Sequence, residues 1–222
     1  MSDDRIVDTL SEQFGDIDIY LFDQLLRGAI SQHATVVDAG CGYGRNLVYL
    51  LRTGHTVLAA DERPDAVAAV RAMAARLAPA LPSSNFRCEP VEAMSFADGC
   101  ADFAISSAVL HFARDETHFR AMLHGTWRTV RAGGMLFCRL ASSIGLEGRI
   151  RPIGGRRFHL PDGSDRFLVD EDLLLALTAE MGAELVDPLK TTNVQGQRCM
   201  TTWVLRRLTT SGSTTTPRPA SE

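Results

Sequence analysis

The sequence predicts an α/β protein built on a mostly parallel sheet of seven strands, with the last strand antiparallel. Three observations carry this prediction. From His33 to Arg207, short apolar runs alternate with longer helical segments, as strand–helix–strand units require. The first apolar run ends in a glycine-rich turn (Gly40, Gly42, Gly44) that leads into a helical stretch. Near the end, a helix, a strand, the loop Pro188–Arg198 and a final strand follow one another too closely for another crossover. The last strand is therefore expected to lie antiparallel, at a sheet edge or between earlier strands.

Taken in order, strands are expected at Thr35–Ala39, Thr56–Ala60, Asn85–Glu89, Asp102–Ser107, Met135–Leu140, Glu184–Asp187 and Thr201–Arg206. The helices between them are expected at Arg45–Arg52, Pro64–Leu77, Glu116–Val130 and Glu171–Met181. Pro64 suits a first helical turn, where its missing N–H costs nothing. Asp170 precedes an apolar run as an N-cap would, and Gly133–Gly134 reads as a C-cap to the helix before it. Residues 1–32 are expected to form an N-terminal helical cap, with Tyr20 and Phe22 in the run Ile17–Ile30. The domain proper is expected over residues 33–208. Within it Ser142–Asp165, rich in Gly, Arg and Pro, is expected to be a lid or substrate loop. Residues 209–222, rich in Thr, Ser and Pro, are expected to be a disordered tail.

Composition narrows the function classes. A chain of 222 residues that is 45% hydrophobic and 23% charged can bury an ordinary core. No run approaches the roughly 18 apolar residues of a membrane helix, so no membrane partner is expected. A net charge of −4 argues against nucleic acid as the main partner. The five cysteines are scattered, with no Cys-x-x-Cys pair, and suggest neither a disulfide framework nor a zinc site. Four of them sit in apolar stretches and are expected to be buried thiols. No metal site is expected. His118 and His124 fall on a helix without a carboxylate–histidine pattern and are expected to face solvent. The acidic, polar start lacks the features of a signal peptide, and a cytoplasmic location is expected.

The chemistry concentrates in VVDAGCGYGRN, Val36–Asn46. Glycines let a backbone approach a ligand in conformations other residues avoid, and a helix N-terminus beyond them presents free N–H groups. Such a turn suits a carboxylate or a phosphate. A dinucleotide fingerprint needs Gly-x-Gly-x-x-Gly, but Arg45 stands at the third glycine. Asp38 adds negative charge that pyrophosphate would resist and an ammonium group would welcome. A ligand carrying both ammonium and carboxylate, an amino-acid moiety, fits better than a nicotinamide dinucleotide.

With GRNLVYL following, DAGCGYGRN resembles the first motif of class I S-adenosylmethionine-dependent methyltransferases, and within them the tellurite-resistance and thiopurine group acting on small molecules. The resemblance extends from Val36 to Arg207. It implies a doubly wound, Rossmann-like sheet and S-adenosyl-L-methionine as cofactor. Asp38, Gly40, Gly42, Gly44 and Asn46 would then hold its methionine end, and Asp61, with Glu62 beside it, the ribose hydroxyls. Glu89, Pro90 and Val91 replace the Gly-Asp-Ala that relatives often carry, so the adenine contact falls to Val91 and Glu92. ISSAVLHF places Ser106, Ser107 and His111 at the methyl-transfer pocket, where His111 is the candidate general base. Tyr20, Arg139 and Arg151 are the candidate substrate contacts. The cluster Arg149, Arg151, Arg156 and Arg157 suggests an anion grip or, equally, a solvated basic loop.

The acceptor implied is a small molecule, with the enzyme a monomer or homodimer. No Asn/Asp-Pro-Pro-Tyr/Phe motif or Pro-Cys nucleophile is present, and Lys190 is the only lysine, all of which disfavours nucleic acid as substrate. The alternatives are a catalytically silent S-adenosylmethionine-binding relative, separable by product formation, and a nicotinamide-dependent oxidoreductase, disfavoured by Arg45.

Overall fold

The structure is a computed structural model and describes residues 10–209. The start of the expected cap, residues 1–9, and all but the first residue of the expected tail, residues 210–222, lie outside the described residues.

In chain order the elements are α1 (Ile19–Leu26), β1 (Thr35–Ala39), α2 (Val48–Arg52), β2 (Thr56–Asp61), α3 (Pro64–Leu77), β3 (Phe86–Cys88) and β4 (Ala101–Ser107). There follow α4 (Glu116–Trp127), β5 (Val130–Ala141), β6 (Arg151–Gly154), β7 (Arg157–His159), β8 (Asp165–Phe167), α5 (Glu171–Glu180), β9 (Ala183–Leu185), β10 (Lys190–Val194) and β11 (Arg198–Arg207). The main sheet runs β10-β11-β5-β4-β1-β2-β3, with β9 also paired to β11. The pairs from β3 to β5 are parallel, and β11 is antiparallel to β5, β9 and β10. The expected antiparallel last strand is thus present, inside the sheet rather than at its edge.

β9 and β10 occupy one sheet position. Leu185 faces Leu205 and Lys190 faces Thr202, so five residues along the edge span three on β11. The surplus bulges around Asp187. The segment expected to be a loop, Pro188–Arg198, is therefore mostly an edge strand and its hairpin turn. In that turn Gln195 and Gly196 both have positive φ and the Gln197 N–H donates to the Val194 carbonyl, a type I′ arrangement that follows strand twist.

Strand residues alternate between two cores, because successive side chains leave a sheet on opposite faces. Val37, Ala104, Leu136, Trp203 and Leu205 pack with Phe119, Leu123 and Trp127 of α4 and Leu174 of α5. Val36, Phe103, Ile105, Phe137 and Val204 pack with Leu21 of α1, Leu50 and Leu51 of α2, and Val67 and Val70 of α3. Helices thus cover both faces, as doubly wound sheets require.

Several expectations about local structure need correction. α4 stops at Trp127, and Gly133–Gly134 lies within β5 rather than capping a helix. At Gly134 a Cβ would lie 2.9 Å from the Asp102 carbonyl oxygen, so close strand packing explains that glycine. Cys41, Cys138 and Cys199 are buried, Cys100 is half-buried and Cys88 is exposed. Residues 142–165, expected as a lid or substrate loop, include strands. β6, β7 and β8 form a separate antiparallel sheet over a small core of Leu146, Leu160, Leu168, Cys199 and Met200. Asp170 caps α5 as expected, its side chain accepting from the Leu173 N–H at 2.9 Å.

α1 lies across the ends of β5 and β10. Arg27 forks onto Asp187 through two hydrogen bonds of 2.7 Å, and Gln24 Nε2 donates to the same carboxylate at 3.0 Å. The Arg27 hydrogen bond holds Asp187 below the usual carboxylate range. The bulge in the edge strand thus provides the attachment point of the cap.

Candidate active site

The carboxyl ends of β1, β2, β4 and β5 meet at the glycine turn. Asp38 ends up almost wholly inside, 1% exposed, with Oδ2 lacking a hydrogen-bond partner among the described residues. Burial pushes its carboxyl up to about 7, raised further by Asp61 and opposed by Arg45. A buried acceptor left unpaired is costly, and an ammonium group arriving at Oδ2 would remove that cost.

The turn beyond Asp38 is shaped by close approach. At Gly40, φ is +78° and a Cβ would lie 2.6 Å from Val109 Cγ2, so only glycine fits. At Gly42, φ is +53° and a Cβ would meet Arg63 Nη2 at 3.6 Å, an ordinary contact, while its N–H donates to Asp61 Oδ2 at 2.8 Å. Asp61 Oδ1 accepts from the Arg63 N–H at 3.0 Å and Arg63 Nε at 3.3 Å. The end of β2 is thereby tied to the glycine turn. The helix after the turn begins only at Val48 and has five residues. The expected helix N-terminus at Arg45 is therefore displaced, leaving the turn and its carboxylates at the strand ends.

Other expected cofactor residues are placed differently. Asn46 is buried, and its Oδ1 accepts from the Asp18 N–H at 3.0 Å, so it positions the cap. Glu62 is exposed. Val91 is buried beneath α4, whereas Glu92 pairs with His118 Nε2 at 3.1 Å. His118, expected in solvent, is largely enclosed by this pair and accepts the Arg114 N–H at Nδ1. Ser106 is buried beneath the surface, and Ser107 Oγ accepts from Arg45 Nη2 at 3.0 Å.

Asp18, which no sequence signal singled out, is the hub of this region. Its side chain is 1% exposed. One oxygen accepts the Tyr20 N–H at 3.0 Å; the other receives Arg139 Nη1 at 3.0 Å, Ser107 Oγ at 3.3 Å and Arg45 Nη2 at 3.5 Å. The Arg139 guanidinium lies over the Tyr20 ring, and Tyr20 hydrogen-bonds Thr192 on β10.

Beside this hub opens a cavity of about 270 Å³, lined by Arg45, Ala108, His111 and Arg139 from the sheet side. Asp162 and Arg166 from the small sheet and Arg198 from β11 complete its wall. Ala108 holds φ +63° with its N–H bonded to the Arg139 carbonyl, a strained conformation at the cavity wall. His111 is buried and its Nδ1 accepts the Ala141 N–H at 3.2 Å. Burial, then Arg166, Arg139 and Arg198, push its pKa down to about 3. The imidazole is therefore neutral with its proton on Nε2. Arg151, a candidate substrate contact, sits on β6, all of whose residues are exposed, and does not line the cavity. The register of the small sheet presents Arg166 instead. Arg156 is occupied by Asp170 at 2.7 Å. Among the described residues no group of three His, Cys, Asp or Glu side chains is placed to hold a metal, and no helix is long and apolar enough to cross a membrane.

S-adenosylmethionine fits these residues. The unpaired Asp38 oxygen suits its ammonium, the glycine turn admits close backbone approach, and Asp61 Oδ2, with one protein donor, keeps a lone pair for a ribose hydroxyl.

Comparison with known proteins agrees. Residues 37–138 match a family described as a methyltransferase domain. Among solved structures, a SAM-dependent methyltransferase from Methanosarcina mazei superposes with a TM-score of 0.66 at 19% identity, covering 83% of this chain and 97% of that one. The 1,6-didemethyltoxoflavin-N1-methyltransferase of Burkholderia thailandensis, solved with S-adenosylhomocysteine, gives 0.62 at 20% identity, over 91% and 87%. TehB from Haemophilus influenzae gives 0.59 at 18% identity, over 84% and 62%. No protein of curated function matches the sequence. The family match covers the glycine turn and the central strands, and the chain shares the fold of these S-adenosylmethionine-dependent methyltransferases over the rest.

Proposed function

We propose that this chain transfers a methyl group from S-adenosylmethionine to a small-molecule acceptor held in the cavity beside Arg45 and His111. The observation that carries this is the buried, unpartnered Asp38 oxygen at the glycine turn, next to a cavity that opens at the same strand ends. When bound, the cofactor supplies an activated methyl on a sulfonium, so the protein's task is alignment. Asp38 holds the ammonium, Asp61 a ribose hydroxyl, and the Val91 backbone the adenine edge. Arg45, beside both regions, is freed from Ser107 and Asp18 to meet the methionine carboxylate. α1 closes the site through Asp18 and Tyr20 and keeps water from the acceptor. The five unpaired cysteines suit a reducing compartment such as the cytoplasm.

His111 was the candidate base, but its Nδ1 lone pair is engaged by Ala141, and its Nε2 carries the proton. In this reading it donates a hydrogen bond to the acceptor and takes no proton. A base is unnecessary if the acceptor atom is already anionic. The test is methyl transfer from labelled S-adenosylmethionine to extracted metabolites, with His111→Asn and His111→Gln compared. Asn preserves an acceptor near Nδ1 and should keep the fold, while losing the Nε2 donor and about tenfold in turnover with S-adenosylhomocysteine affinity unchanged. A loss of 10³ or more that reverses as pH rises would instead mark His111 as the base. No labelled small molecule from any extract would count against methyl transfer.

A further inference from the structure

Building on that proposed function, we infer that the acceptor is an acidic small molecule whose carboxylate or phosphate is gripped by Arg139, Arg166 and Arg198. Four guanidiniums line the cavity: Arg45, Arg139, Arg166 and Arg198. Among the described residues, only two carboxylates answer them. Asp18 is shared between Arg45 and Arg139, and Asp162 stands 3.9 Å from Arg198 while bonded to the Ser164 N–H and hydroxyl. Asp165, next to Arg166 in sequence, directs its carboxylate to His159 at 2.7 Å. Among the described residues, Arg166 bonds only a backbone carbonyl, and it lies over the Phe112 ring. The cavity thus holds two more positive than negative charges.

Orphaned donors point the same way. Arg139 Nε is buried with no partner among the described residues. His111 adds the N–H on Nε2. Buried donors without partners are costly, and guanidiniums with planar forks match oxyanions in pairs. The cavity volume, about 270 Å³, suits a metabolite-sized acid. These arginines come from β5, β8 and β11, so the small sheet over the site contributes specificity as well as cover. None of Arg149, Arg151, Arg156 and Arg157, read from the sequence as an anion grip or a solvated basic loop, lines the cavity.

The test is isothermal titration of the full chain with benzoate, phenyl phosphate and neutral benzamide, with and without saturating S-adenosylhomocysteine. Benzoate or phenyl phosphate should bind at least tenfold more tightly than benzamide, and whichever binds better identifies the oxyanion. Raising salt should weaken that binding. Arg166→Gln and Arg198→Gln should each weaken it about tenfold, with S-adenosylhomocysteine affinity within twofold and Arg166→Lys recovering part. Equal affinity for benzamide, no binding of either anion, or indifference to both variants would overturn the anionic acceptor. Failure of S-adenosylhomocysteine to bind would overturn the methyl-transfer proposal instead, and the anion titration alone would still decide the charge of the site's ligand.

Discussion

Gly125→Ala is expected to destabilise the protein by about 3 kcal/mol, although alanine is the better helix former by about 1 kcal/mol. Gly125 lies inside α4, where it meets the turn at Val91. A Cβ there would overlap the Val91 carbonyl oxygen and lie 3.0 Å from Glu92 Cα. Both obstacles are backbone, so no rotamer change relieves them, and either α4 or the turn must move. For a chain of this size the melting temperature should fall by about 6–12 °C. The surviving folded protein should bind S-adenosylhomocysteine less well, because the displaced turn carries the proposed adenine contact. A normal melting temperature would mean that α4 and the Val91 turn do not pack this closely.

Asp61→Ala should weaken S-adenosylhomocysteine binding by about tenfold to a hundredfold, as the loss of one charge-assisted hydrogen bond to the ribose would do. The loss should appear mainly as a raised cofactor KM, since the ribose is held alike in ground and transition states. The variant also leaves the Gly42 N–H without its 2.8 Å partner and frees Arg63. The glycine turn therefore slackens, and part of the loss has that origin. Asp61→Asn keeps one acceptor oxygen and should fall between the two. Titration of both variants measures this, and wild-type affinity in Asp61→Ala would place the ribose elsewhere.

Much of the fold was legible because it rests on periodicity. β1 and α3 lie where the sequence places them, the N-cap at Asp170 forms, and the last strand is antiparallel. β10 was not legible, since Lys190–Val194 is a mostly exposed, polar edge strand whose pattern reads as a loop. Gly133–Gly134 misled because a glycine pair ends helices and also lets strands approach closely. At the site, Asp38 and Asp61 announce themselves at the ends of apolar strands. Asp18 does not. In the structure it caps α1, and only the docking of α1 brings Arg45, Ser107 and Arg139 to it. The choice of Arg166 over Arg151 depends on the register of a three-stranded sheet, where a one-residue slip reverses every side chain.

The central claim, that Asp38 awaits the ammonium of S-adenosylmethionine, is tested most directly by titrating S-adenosylhomocysteine at pH 6 and pH 7.5. Without ligand the carboxyl holds its proton up to about 7, so this group stabilises the fold less as pH rises from the ordinary carboxylate range to that value. An ammonium partner requires the ionised form, so binding releases a proton below pH 7. Affinity should rise about tenfold from pH 6 to pH 7.5. In Asp38→Asn it should be weaker and flat, and NAD should not bind to either protein. A wild-type affinity that is pH-independent and unchanged by Asp38→Asn would contradict the role of Asp38, and binding of NAD without S-adenosylhomocysteine would contradict the whole assignment.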